Sequence, residues 1–316
     1  MAIDRVCVVG AGVIGSLYAG HLAQVVEVSV LTRREEQARA LKSLGLRISG
    51  KSELQAKVAA STDPGELPDP DLVIVATKAT DLEAAARRLA GNFPSATVMT
   101  IQNGLGAEEI VRAQGAWPII SAVTFMSGVR HSDTHVEYEL DTETWMGPYA
   151  GTTTFDSVQE VGRLLRTAGL RARAFPDLRP AQWSKLIFNA TVNTVSALTD
   201  LPHVRQFAAV EAFTDLGHLV RDLMEEGKRV AAAAGVELYE DPWEMNVLAT
   251  QRGETEAAAG AYAHIPSMLQ DVRARRPTEV DFITGALVRE AARLGVPVPL
   301  HTALYRLVKA KESSYA

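Results

Sequence analysis

Residues 5–20 read R-V-C-V-V-G-A-G-V-I-G-S-L-Y-A-G, and the fold follows from this stretch. Val6 to Val9 is a short apolar run of the kind a strand buried on both faces produces. Gly10, Gly12 and Gly15 then spell G-x-G-x-x-G, and an apolar helical pattern follows from Val13 and Ile14. Gly10 suits the tight turn out of the strand, Gly12 lets a pyrophosphate approach the backbone, and Gly15 lets the helix pack close to the strand. The helix N-terminus then offers N–H groups and a partial positive charge to phosphates. A strand, this glycine pattern and a helix in that order predict dinucleotide binding.

The choice of dinucleotide is made at the end of the next strand, Val26 to Leu31. An NAD enzyme usually carries an acidic residue there to accept hydrogen bonds from the ribose 2′-hydroxyl. This chain instead has Thr32-Arg33-Arg34, and two arginines suit a 2′-phosphate; the alternative is a solvated loop pair. Glu35 and Glu36 fit the first turn of the next helix, Glu35 to Leu44, which Gly45 ends. The expected cofactor is NADP(H).

Further along, short strands are expected at 46–49 and 56–59, and nearly all-apolar ones at Asp71 to Ala76, Ala96 to Ile101 and Pro118 to Phe125. Helices are expected at Asp81 to Ala90, Ala107 to Gln114 and Phe155 to Ala168. His131 to Met146 alternates as antiparallel strands do, and a last short strand is expected at 171–175. This alternation predicts an α/β, Rossmann-type doubly wound parallel sheet over residues 1–175. Ligands of such sheets bind beyond the carboxyl ends of the strands, which is where Lys78 and Asn103 follow theirs. From Pro176 onward the strand signals stop. Helical periodicity fills Ala181 to Leu198, Val204 to Gly235, Asp241 to Ala263 and Val280 to Leu294, so residues 176–316 are expected to form an all-helical domain. Gly295, Pro297 and Pro299 mark the exit from the last of these.

Bulk properties narrow the class. The chain has 316 residues, 32 basic and 38 acidic, for a net charge of −6. That balance argues against a nucleic-acid surface, and no apolar run reaches membrane-span length. The N-terminal apolar stretch is the glycine-loop strand rather than a signal peptide. The single cysteine, Cys7, permits no internal disulfide, and the seven histidines show no metal-ligand spacing. A cytoplasmic protein without a metal is expected.

Two stretches carry side chains suited to chemistry. In Trp183-Ser-Lys-Leu-Ile-Phe-Asn-Ala-Thr-Val-Asn193, Lys185, Asn189 and Asn193 recur every four residues and share one stripe of an otherwise apolar helix. Buried polar groups there are costly unless they bind something; alternatively the asparagines cap nearby backbone and the lysine snorkels to solvent. The second stretch runs from Ser267 through Asp271, Arg273, Arg275 and Arg276 to Pro277-Thr278-Glu279-Val280-Asp281. Pro277 suits a first helical turn, which would place Glu279 at a helix N-terminus, either as a dipole partner or as a site carboxylate.

The ordered set G-A-G-V-I-G at 10–15, T-K-A at 77–79, Q-N-G-L-G at 102–106, K-L-x-x-N-x-x-x-N at 185–193 and S-M-L-Q-D-V-R-A-x-R-x-T-E-V-D at 267–281 resembles the ketopantoate reductases. These are NADPH enzymes of pantothenate and coenzyme A synthesis that convert 2-dehydropantoate to (R)-pantoate. The resemblance spans nearly the whole chain and implies a Rossmann domain, a helical domain and an active site between them. It implies that Lys185 is the general acid that protonates the oxygen formed at C2. Glu279 would bond a substrate hydroxyl and set the charge around Lys185. Asn189, Asn193 and Ser267 would hold the substrate's carboxylate and hydroxyl. Asn103 would contact the nicotinamide ribose and the reacting end of the site, Lys78 would lie beside the cofactor and Arg33 would face its 2′-phosphate. Hydride delivery to a 2-ketone builds negative charge on its oxygen, which an ammonium in a dry cleft both stabilises and protonates. One position departs from the pattern: His264 stands three residues before Ser267, where members often carry an amide. A pocket-lining histidine there would favour another 2-oxo acid. Two alternatives therefore accompany the expectation, the same chemistry on a different 2-oxo acid and a non-catalytic NADPH sensor. A homodimer is compatible with the family.

Overall fold

The computed structural model describes residues 3–208, 214–258 and 265–315. It divides into two units, one of residues up to Gln102 plus Ala107–Leu178, the other of Asn103–Gly106 plus Arg179 onward.

The first unit begins with β1 (Arg5–Val9), α1 (Val13–Leu22), β2 (Glu27–Leu31), α2 (Glu35–Leu44), β3 (Leu46–Gly50), β4 (Leu54–Ala56) and β5 (Ala59–Ser61). There follow β6 (Leu72–Val75), α3 (Ala79–Leu89), β7 (Thr97–Thr100), α4 (Ala107–Arg112) and β8 (Ile119–Thr124). The unit closes with β9 (Ser127–Arg130), β10 (His135–Leu140), β11 (Thr144–Pro148), α5 (Phe155–Thr167) and β12 (Ala172–Ala174). The main sheet runs β12-β11-β8-β7-β6-β1-β2-β5. Every pairing from β5 to β8 is parallel, whereas β11 is antiparallel to β8, so the sheet is mixed at one edge.

Both faces of this sheet are covered, which is why β6 and residues 6–9 of the neighbouring β1 read as unbroken apolar runs. Within β1, Val6 and Val8 pack in a cluster with Leu17, Tyr18 and Leu22 of α1. Cys7 and Val9 point the other way, into a cluster with Leu82, Ala86 and Leu89 of α3. Burial raises the Cys7 thiol to about 11, so it stays a neutral apolar filler at neutral pH.

A second, four-stranded sheet, β4-β3-β10-β9, was not foreseen. The stretch 131–146 does not form one antiparallel ribbon. Its first strand, β10, pairs parallel to β3 and antiparallel to β9, while β11 joins the main sheet. The reason is local: Val136 and Tyr138 face the α1 core cluster, but alternate residues face outward, a pattern that does not disclose the partner strand.

The second unit contains α6 (Arg179–Thr199), α7 (Asp215–Ala233), α8 (Pro242–Ala258), α9 (Ser267–Arg273), α10 (Thr284–Leu294) and α11 (Pro299–Glu312). α6 is its axis: α7, α8, α9, α10 and α11 all pack on it. That central place explains the helix's near-continuous burial, with Leu186, Ile187, Ala190, Val192 and Val195 in one apolar cluster with Val220, Leu223 and Leu287. Pro299 does not merely mark an exit. It takes the first turn of α11, where its fixed φ suits the helix and its missing N–H costs nothing. A buried carboxylate from α7, Glu226, accepts from the N–H groups of Leu300 and His301, both at 3.0 Å, and so caps α11. Among the described residues no helix is long and apolar enough to cross a membrane.

Candidate active site

In the first unit the glycine loop has the predicted mechanics. Gly10 has a φ of +97°, open to glycine and strained for other residues, and its N–H donates to the Leu31 carbonyl at 2.9 Å. A Cβ on Gly15 would lie 1.8 Å from the Gly10 carbonyl oxygen, so only glycine lets α1 approach the strand this closely. At Gly12 nothing stands within 4 Å of where a Cβ would be. α1 starts after Gly12 with no side-chain cap and no acidic residue in its first turn, which leaves the N–H groups of Val13 and Ile14 to an external acceptor. An uncapped helix N-terminus beside an uncrowded Gly12 suits a pyrophosphate.

Arg33 follows β2 and its side chain is 77% exposed; its guanidinium donates to Asp81 at 3.1 Å. Arg34 is tied instead to Asp133, which Arg130 also approaches. Lys78 is exposed and is the residue from which α3 springs. α3 starts two residues before the expected Asp81. Asp81 lies in the first turn after Lys78, where its carboxylate meets Arg33, a partnership that sequence spacing alone did not reveal. Gln102 donates to the carbonyls of Val75 and Thr77 at 2.8 and 2.9 Å and so fastens the end of β7 to that of β6.

In the second unit the polar stripe of α6 is buried: Lys185 is 4% exposed, Asn189 7% and Asn193 7%. The lysine does not snorkel to solvent. Burial pulls its amine down from 10.5 to about 7, and the negative charge of Glu279 partly opposes that fall. Asn189 donates from its amide to the side-chain oxygen of Asn103 at 3.4 Å, so Asn103 belongs with this stripe. Its segment is fixed by the Leu105 N–H, which donates to the Phe282 carbonyl at 3.1 Å. A Cβ on Gly104 would stand 1.9 Å from that same oxygen.

Glu279 does not sit in a first helical turn, because α10 starts only at Thr284. Residues 279–283 form a turn in which the Phe282 and Ile283 N–H groups both donate to the Glu279 carbonyl, at 3.0 and 3.1 Å. The turn before α10 thus carries Glu279 towards Lys185 and Phe282 towards Gly104. Ser267 is exposed at the start of α9. The three arginines of that stretch are engaged structurally: Arg273 with Asp200, Arg275 with the Ser314 carbonyl and Arg276 with Asp271. His264 lies outside the described residues.

Residues 6–151 match the family described as Ketopantoate reductase PanE/ApbA, and residues 177–312 match its C-terminal part. The chain belongs to this ketopantoate reductase family. It is accordingly an oxidoreductase acting on a CH–OH group. A protein of Archaeoglobus fulgidus named 2-dehydropantoate 2-reductase is 32% identical over 314 residues, covering 99% of each chain. A solved PanE/ApbA family ketopantoate reductase from Ralstonia eutropha superposes with a TM-score of 0.83 at 30% identity, covering 98% of this chain and 99% of that one. The fold is shared with a D-mandelate dehydrogenase solved with NADH and anilino(oxo)acetate, at a TM-score of 0.84 and 24% identity over 98% of this chain and 99% of that one.

Proposed function

We propose that this reductase converts 2-dehydropantoate to (R)-pantoate with NADPH. The observation that carries the proposal is Lys185, a buried amine that titrates near 7 beside the charge of Glu279 on a stripe completed by Asn189 and Asn193. A general acid works best when it titrates near the operating pH, and such an acid contributes about 10²–10⁴-fold. Lys185 donates its proton to the carbonyl oxygen as negative charge builds there. Before that it stabilises the same oxygen electrostatically, strongly because its surroundings exclude water. Asn103 and Asn189, already bonded to one another, present fixed amides to the substrate and the ribose. Asn193 and Ser267 extend that set toward the carboxylate and hydroxyl, and Glu279 accepts from a substrate hydroxyl while keeping Lys185 protonated.

The nucleotide seat fits the first unit. The uncapped N–H groups of Val13 and Ile14 and the open face of Gly12 take the pyrophosphate. Arg33 pairs with the 2′-phosphate, and Lys78 lies alongside. Bound there, the reduced nicotinamide supplies the hydride. The absence of an acidic residue directly after β2 supports NADPH over NADH.

A second reading keeps the chemistry and changes the acid, since the same fold serves a protein described as D-mandelate dehydrogenase. The deciding experiment is a panel of 2-oxo acids with NADPH and with NADH, followed by loss of nicotinamide absorbance. Fastest turnover with 2-dehydropantoate and NADPH is expected. Turnover only with another 2-oxo acid would install the second reading, and silence across the panel would leave a nucleotide-binding sensor.

A further inference from the structure

Glu279 lies in a turn rather than a helix, so the backbone hydrogen bonds of a helix do not by themselves fix its carboxylate. Holding a residue of such a turn in one conformation costs backbone entropy, and something must supply the compensating contacts. The residues on either side of Glu279 show what does. Thr278, 2% exposed, donates both its N–H and its hydroxyl to one carboxylate oxygen of Glu312, each at 2.7 Å. The other oxygen of Glu312 meets the Lys309 ammonium at 3.1 Å. Lys309 also donates to Asp281 at 2.9 Å, and the Tyr305 hydroxyl donates to the second oxygen of Asp281 at 2.7 Å. Arg289 of α10 closes the far side by donating to the Asp281 carbonyl at 2.9 Å.

Tyr305, Lys309 and Glu312 are spaced i, i+4 and i+7, so they form one stripe of α11. Val308, Leu304 and the ring of Tyr305 attach α11 to the apolar cluster, which leaves the stripe's hydrogen-bonding capacity for other work. All of it is aimed at positions 278 and 281, which bracket Glu279. Two carboxylates share one ammonium, an arrangement in which each charge holds the next in place. The ion pair with Asp281 raises the Lys309 amine above its ordinary value. At Asp281 burial favours the neutral acid, but Lys309 and Tyr305 outweigh it and hold the carboxyl below its usual range.

We infer that the Tyr305–Lys309–Glu312 stripe is a positioning device for the reaction, setting the Glu279 carboxylate against Lys185. This rests on the proposed role of Glu279 and adds residues that never touch substrate. A misplacement of about 1 Å in such a group can cost up to about 10²-fold, so a clamp of this kind is measurable.

The test is a double-mutant cycle on kcat/KM with NADPH and the best substrate of the panel. Glu279→Gln comes first, and a loss of at least about tenfold is expected. No loss there would end the parent proposal and the inference with it. With that loss in hand, Glu312→Ala is expected to lower kcat/KM about tenfold in the wild-type background and less than about twofold in the Glu279→Gln background. Glu312→Gln, which keeps an acceptor for Thr278, should recover most of the activity. Tyr305→Phe, which removes one hydroxyl without changing volume, should show the same background dependence even if Glu312→Ala folds poorly. Equal losses in both backgrounds would mean that the stripe only stabilises the fold. No loss from either α11 variant would mean that it does not position Glu279. Either result overturns the inference while leaving the role of Glu279 standing.

Discussion

Replacing Lys185 with methionine should make the protein more stable and nearly inactive, and the gain in stability should vanish at high pH. The amine titrates near 7 in the folded chain and near 10.5 when solvated. Between those values the unfolded chain takes up a proton that the folded chain does not. Stability therefore falls as the pH drops from about 10.5 to about 7 and levels off below that. At pH 7 the accumulated cost is about 4 kcal/mol, at 1.36 kcal/mol for each tenfold difference in proton affinity. Methionine fills a similar volume and carries no charge to desolvate. Its advantage is discounted by imperfect packing and by the lost attraction to Glu279, which leaves a net gain of about 2–4 kcal/mol at pH 7. By pH 10 the gain should shrink below about 1 kcal/mol. Urea denaturation of both proteins at pH 7 and pH 10 measures the difference, and single-turnover reduction measures the chemistry. Turnover should fall about 10²–10⁴-fold with nucleotide affinity unchanged. A stability difference independent of pH, or a variant weaker than the parent at pH 7, would refute a buried, strained ammonium at this position.

For the parent enzyme, kcat/KM should fall as the pH rises through about 7, because the acid must carry its proton; a flat profile to pH 9 would count against Lys185. Gly15→Ala drives a Cβ to 1.8 Å from the Gly10 oxygen and should cost more than about 2 kcal/mol, seen as a lower unfolding midpoint. Gly12→Ala meets nothing within 4 Å, so stability should hold while affinity for NADPH and NADH drops together in titrations of nucleotide fluorescence. Arg33→Ala should weaken NADPH far more than NADH, and equal losses would undo its assignment to the 2′-phosphate. Because Arg33 is 77% exposed, its contribution should diminish as salt is raised.

What could be foreseen from the residues followed from burial on two faces and from the mechanical needs of glycine. β6 and residues 6–9 of β1 announce themselves because every side chain is apolar, and Gly10, Gly12 and Gly15 because each solves a different geometric problem. The α6 stripe was visible in its spacing, but only the packing of five helices around α6 shows that it is buried. Three features stayed hidden for physical reasons. The second sheet consists of short, half-exposed strands whose alternation does not name a partner. α11 begins with a proline that can end one helix or start the next. Glu279 was expected in a first turn because Pro277 suits one, yet the chain is pulled out of helix there by Glu312 and by the turn closing on the Glu279 carbonyl.

The four residues Asn103–Gly106 are threaded between β7 and α4 yet are held by the helical unit. This limits how such proteins can be recombined. A gene cut at residue 178 would not yield two interchangeable modules, because the C-terminal product would lack the amide that pairs with Asn189 and the backbone donor that meets Phe282. A chimaera that exchanges the helical half of this chain must carry this tetrapeptide with the half that grips it, so the exchangeable unit is discontinuous along the gene.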